Sequence, residues 1–81
     1  MTETEANTVV AGLYRSFYAT VVRYAWRAVG SLQLAEDLVQ QTFLDLYVAL
    51  RKGKTIENPQ AWVFCVARRG IKRQARAAFD P

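Results

Sequence analysis

Residues 58–76 read NPQAWVFCVARRGIKRQAR. Asn58 is a helix N-cap type, and Pro59 suits the first helical position, where its missing N–H costs nothing. Seven apolar residues follow without a break, Ala61 to Ala67, and then Arg68, Arg69, Lys72, Arg73 and Arg76. At about 100° per residue the five cations fall within an arc of roughly 140°. Val63, Phe64, Ala67, Gly70, Ile71 and Ala78 fall opposite. The spacing predicts a helix with one core face and one cationic face, edged by an apolar lip of Trp62, Cys65 and Val66. Two readings of the stripe stand: a solvated helix face, or a surface that binds polyanions. The lip adds weight to the second, because seven consecutive apolar residues cannot all point at one core. Trp62 itself reads as core.

Working outward from this helix, residues 51–58 (RKGKTIEN) form a loop broken at Gly53 and carrying Arg51, Lys52 and Lys54. These cations lie beside the start of the basic helix and extend its charge. Before the loop, Ser31 is the candidate cap of a second helix over Leu32–Lys52, with Glu36 and Asp37 favourable to its dipole. Ala35, Leu38, Val39, Thr42, Phe43, Leu46, Ala49 and Leu50 make its core face. Asp37, Gln40, Gln41, Leu44 and Val48 project the other way, with Asp45 at the edge. That face is either a protein-docking patch or is covered by another helix of the domain. A first helix runs from a cap at Asn7 or Thr8 to Val29, stopped by Gly30. Its apolar face is Val10, Leu13, Tyr14, Phe17, Val21, Tyr24, Ala25 and Ala28. Tyr18, Val22 and Trp26 broaden it, which predicts a scaffold helix covered on two sides. The expected fold is all-α, a compact bundle of three main helices with a break allowed in the first. Residues 1–8 read as a polar lead and 9–79 as the domain, and Phe79–Pro81 carry no natural cap.

The 81-residue chain is 52% apolar with ten aromatic residues, enough for one small core. A single cysteine excludes an internal disulfide, and with no histidine a zinc site has almost no ligands. Cys65 has no imidazole beside it in sequence and reads as a buried or bystander thiol. No phosphate-cradling glycine loop, nucleophile motif or converging carboxylate pair appears, so the sequence argues against an enzyme and implies no cofactor. No signal peptide and no apolar run of bilayer length is visible, and a cytoplasmic location is expected. The net charge of +4 is unevenly placed. Residues 1–50 carry three cations and five anions, whereas residues 51–81 carry eight cations and two anions. A basic second half calls for a polyanionic partner, nucleic acid before membrane surface.

Four blocks carry a family resemblance: Leu13-Tyr14-Arg15 with Phe17-Tyr18; Ala35-Glu36-Asp37-Leu38-Val39-Gln40-Gln41-Thr42-Phe43-Leu44; Asn58-Pro59-Gln60-Ala61-Trp62-Val63-Phe64; and Val66-Ala67-Arg68. In order and spacing they resemble the second conserved region of bacterial sigma factors, above all the extracytoplasmic-function class. The resemblance covers about residues 10–76. It implies that the second helix docks on the clamp-helix coiled coil of the RNA polymerase β′ subunit through Asp37, Gln40, Gln41, Leu44 and Val48. It implies too that the third helix and its preceding loop recognise and open the −10 promoter element. A flipped non-template base would enter a pocket near Ala49, Gly53, Val66 and Arg69. Arg51, Lys52, Lys54, Asn58, Arg68, Arg69, Lys72, Arg73 and Arg76 would hold DNA. An anti-sigma factor is a further implied partner.

Two positions depart from the family pattern. Arg69 stands where Asn is frequent, so that a guanidinium stacks on a base or grips a phosphate in place of amide readout. Gln41 stands where Glu is common. The helix-turn-helix of the other sigma domain, region 4, is not found in the chain. Two other readings remain: a sigma-like mimic that binds an anti-sigma factor without touching DNA, and an unrelated basic bundle on a membrane surface.

Overall fold

The computed structural model describes residues 1–79, with side chains to residue 77. Three helices follow one another: α1 (Glu3–Val29), α2 (Leu32–Arg51) and α3 (Pro59–Phe79). This is the all-α three-helix bundle that the periodicity predicts. The expectations for the Ala78 side chain and for Asp80 and Pro81 lie outside the described residues, and α3 reaches Phe79.

Helix ends follow from their side chains. The Gly30 backbone is left-handed (φ 77°) and its N–H donates to the Trp26 carbonyl, closing α1. Ser31 Oγ accepts from the Leu34 N–H at 3.2 Å and opens α2. Asn58 Oδ1 accepts from the Ala61 N–H at 3.1 Å, with Pro59 as the first residue of α3. Gly53 (φ 85°) turns the chain after α2, and the Lys54 N–H donates to the Ala49 carbonyl at 3.0 Å.

The start of α1 corrects the expected polar lead. The helix begins at Glu3, not after Asn7, and runs unbroken to Val29. Thr2 and Glu5 form a capping box: Thr2 Oγ1 accepts from the Glu5 N–H at 3.2 Å, and the Thr2 N–H donates to Glu5 Oε1 at 3.0 Å. Ala6, with 0% exposure, packs into the core from this added turn. These hydrogen bonds, first the one from the Thr2 backbone, hold the Glu5 carboxyl below the usual carboxylate range. A depressed folded-state pKa gives stability above the unfolded value, lost as pH falls through the folded one. Acidification below about pH 4 should therefore fray the first turn, read as lost helical ¹³C shifts at Glu3–Ala6. Glu5→Gln, which caps without titrating, should remove that residue's share of the pH dependence.

Every helix contributes to the core. Val21 of α1, Val39 and Leu46 of α2 and Val63 of α3 are fully buried, with Ala25, Ala35 and Ala67 at points of close approach. Gly70 lets α3 press on α2: a Cβ there would sit 3.1 Å from Leu38 Cγ. Thr42, the one polar residue buried among those described, donates its hydroxyl to the Leu38 carbonyl at 2.9 Å. Tyr14 and Tyr18 stack at 4.4 Å, with Phe43 edge-on to Tyr14 at 5.3 Å.

The expectation that α1 is covered on two sides holds in part: Val22 is buried and Tyr18 packs against the core. Tyr14, Tyr24 and Trp26 stay 41–46% exposed, and Ala28 is exposed as well. Both α2 and α3 pack on α1. No helix is long and apolar enough to cross a membrane among the described residues.

Candidate nucleic-acid interface

Phase along α3 fixes the site. Val63 and Ala67 are buried, and Phe64, Gly70 and Ile71 are partly so, which turns Arg68, Arg69, Lys72, Arg73 and Arg76 outward, where all five are exposed. Val66, Arg69, Lys72, Arg73 and Arg76 line one groove of about 440 Å³. An apolar floor edged by four cations is the combination a phosphate strand with an unstacked base requires. Side-chain hydrogen bonds among the described residues are caps and within-helix bonds, and none engages an arginine or lysine.

The loop joins this surface through Trp62. Arg51, Lys52 and Lys54 are exposed, and Lys54 Nζ sits 5.8 Å from the centre of the half-buried Trp62 ring. Trp62 lies one turn before Val66. Of Ala49, Gly53, Val66 and Arg69, the residues expected to form one pocket, two lie on α3 and two at the end of α2. Val66 and Arg69 share the α3 groove, whereas Ala49 and Gly53 are at the end of α2, tied to the loop by the Lys54–Ala49 bond. Asn58 is exposed, but its Oδ1 is committed to capping α3, which leaves its amide NH₂ for other partners.

The outward residues of α2 also divide. Leu44 is 54% exposed and Val48 40%, so no helix among the described residues covers them. Gln40 and Leu44 border a groove of about 370 Å³ shared with Asn7 and Val10 of α1. Asp37, Gln41 and Asp45 instead border a groove of about 480 Å³ between α2 and α3, whose other wall includes Val66, Gly70, Arg73 and Gln74. Gln41 is oriented within it, since its amide donates to Asp45 Oδ1 at 2.8 Å. A glutamate at 41 would face a like charge one turn away, and the amide turns that repulsion into a bond.

The acidic and basic faces, separate by helical phase, thus meet along the α2–α3 groove, where Arg73 lines both that groove and the cationic one. Sequence reasoning also passed over Gln74, and it placed Gly70 on the core face without reading its close approach to α2. The signal for Gly70 was present, since a glycine inside a strong helix pattern marks a close approach.

The family model for sigma-70 region 2 matches residues 13–78. The chain is 37% identical over 71 residues to the ECF RNA polymerase sigma factor SigL from three strains of Mycobacterium tuberculosis, a match over 86% of this chain and 40% of each relative. It therefore spans about 40% of the length of the curated relatives it matches. No solved structure matches it. With three helices, a cationic third helix and the matched segment covering all but the first turns of α1, the chain belongs to the sigma-70 region 2 family.

Proposed function

We infer that this domain binds RNA polymerase through α2 and the non-template strand of a −10-type promoter element through α3 and the loop before it. The observation that carries the reading is the α3 groove, in which Val66 forms an apolar floor beside Arg69, Lys72, Arg73 and Arg76. Cations track the phosphates while apolar surface replaces the stacking that a flipped base gives up. Binding energy drives strand opening and no bond is made or broken. The β′ clamp-helix coiled coil is the proposed partner of Asp37, Gln40, Gln41, Leu44 and Val48, and an anti-sigma factor would compete for the domain. A cytoplasmic location goes with this role.

Arg69 has the reach and charge to stack on a base or grip a phosphate at the groove's mouth. Ala49 and Gly53 shape the approach from the loop, where Lys54 packs over Trp62. A mimic that only captures anti-sigma factors has no use for four cations around an apolar floor.

A salt-titrated binding assay with single-stranded non-template promoter DNA, with and without a β′ coiled-coil fragment, tests the reading. Binding should be weak for the domain alone, tighten with the fragment and fall steeply with salt. No DNA binding in either condition, with tight binding to an anti-sigma protein, would establish the mimic instead.

A further inference from the structure

We propose that α1 carries a second nucleic-acid contact, in which Arg23 and Arg27 grip a backbone phosphate and Tyr24 offers its ring to a neighbouring base. It rests on the reading of α3 as a strand-binding helix and extends that track onto a helix otherwise read as scaffold.

Thr20, Arg23, Tyr24, Arg27 and Ala28 line a groove of about 440 Å³ on the outer side of α1. All five are exposed. Arg23 and Arg27 are one turn apart, so their guanidiniums reach the same space, and two forks of N–H donors suit a phosphate better than a lone carboxylate. No anion opposes them along the helix: between Ala6 and Ala35 the chain has no aspartate or glutamate, and its only charges are Arg15, Arg23 and Arg27.

The ring and the position of the groove select a nucleic-acid strand over other polyanions. Tyr24 is 41% exposed, and its inner side meets Phe64 of α3 at 6.2 Å between ring centres. Phe64 lies one helical turn before Arg68, the edge of the α3 stripe that faces α1. The two cationic surfaces therefore adjoin across the Tyr24–Phe64 contact, and a strand leaving the α3 groove past Arg68 meets Tyr24 and then Arg23 and Arg27. A half-exposed ring between cations is a stacking platform for an unstacked base.

The test uses the full 81-residue chain with fluorescent oligothymidine strands of about 6 and about 14 nucleotides, which span the site sizes usual for such grooves. The wild type should bind the long strand more tightly and with a steeper salt slope. In Arg23→Ala/Arg27→Ala the short strand should bind as before, while the slope for the long strand becomes shallower by about 0.7, the value for one phosphate on a single strand. Arg23→Lys/Arg27→Lys, which keeps both charges, should keep the slope and shows that the fold survives change at these positions. Unchanged long-strand affinity and slope in the alanine pair, alongside loss of binding in Arg69→Ala/Arg73→Ala, would overturn the α1 contact and leave the α3 reading standing. No binding of either strand by the wild type, with or without the β′ fragment, would overturn both. Binding to vesicles of anionic phospholipid that is lost in the alanine pair, with DNA binding unchanged, would assign the patch to a membrane surface and overturn the proposal.

Discussion

Leu46→Ala should lower the stability of the domain by about 3 kcal/mol, within the range for large-to-small changes at fully buried sites. Leu46 has 0% exposure and sits midway along α2, in the cluster that joins Val21, Val39 and Val63. Removing its branched end opens a cavity walled by all three helices. All three walls are helices of 20 residues or more, and such a core relaxes only partially into the space left behind. A chain of 81 residues has a total stability of only about 4–12 kcal/mol, so the variant retains a small margin. Its thermal midpoint should fall by well over 10 °C, since each kcal/mol is worth about 4–8 °C at this size. Urea unfolding should show a lower midpoint at unchanged slope. Leu44→Ala is the matched control. Two residues away and 54% exposed, it should change stability by less than about 0.5 kcal/mol. The two leucines are identical in type and opposite in consequence, which is what the phase of α2 dictates.

That phase was legible in the residues. Ala35, Val39, Thr42, Phe43, Leu46 and Leu50 are the buried set of α2, and all belong to the face predicted from their spacing. The caps at Ser31 and Asn58 and the stop at Gly30 were legible too, because each needs only one side chain or one left-handed residue. What was not legible depends on how helices meet. Apolar type alone does not say how far the cover of α1 extends, and so Tyr14, Tyr24 and Trp26, expected in a covered face, stay about half-exposed. The segment before Val9 has no apolar periodicity, and only the Thr2–Glu5 pair signalled that α1 extends through it. The meeting of Asp37 with Arg73 in one groove follows from the crossing of α2 and α3. That crossing is set by the seat of Gly70 on Leu38, a tertiary contact that the phase of either helix alone does not contain.

Asp37→Ala should move two affinities in opposite directions, and Arg73 is the reason. By helical phase alone, Asp37 is a docking residue with no bearing on DNA, and its removal would weaken only the polymerase contact. The structure places its carboxylate on the wall of the groove that Arg73 also lines. A phosphate approaching Arg73 therefore passes a fixed negative charge. At a separation of about 8 Å in water, a unit like charge opposes by about 0.5 kcal/mol before screening, or roughly a twofold change in affinity. Salt at physiological strength reduces this, since the Debye length is itself about 8 Å. Asp37→Ala should accordingly strengthen binding to single-stranded −10-type DNA by up to about twofold at low salt, with the gain vanishing as salt rises. The same variant should weaken binding to the β′ coiled coil. Arg73→Ala should do the larger damage, costing about tenfold in DNA affinity at low salt, in keeping with the loss of one charged hydrogen bond. The salt slope should become shallower by about 0.7, as for one phosphate on a single strand. In Arg73→Ala/Asp37→Ala the gain from losing the carboxylate should shrink, because the guanidinium that drew the phosphate into the groove is gone. A double-mutant cycle in fluorescence anisotropy reads that coupling directly. Additive effects of the two substitutions would separate the acidic and basic walls of the groove. Coupling that disappears when the β′ fragment is bound would mean that docking, by covering Asp37, relieves the repulsion and readies Arg73 for the strand.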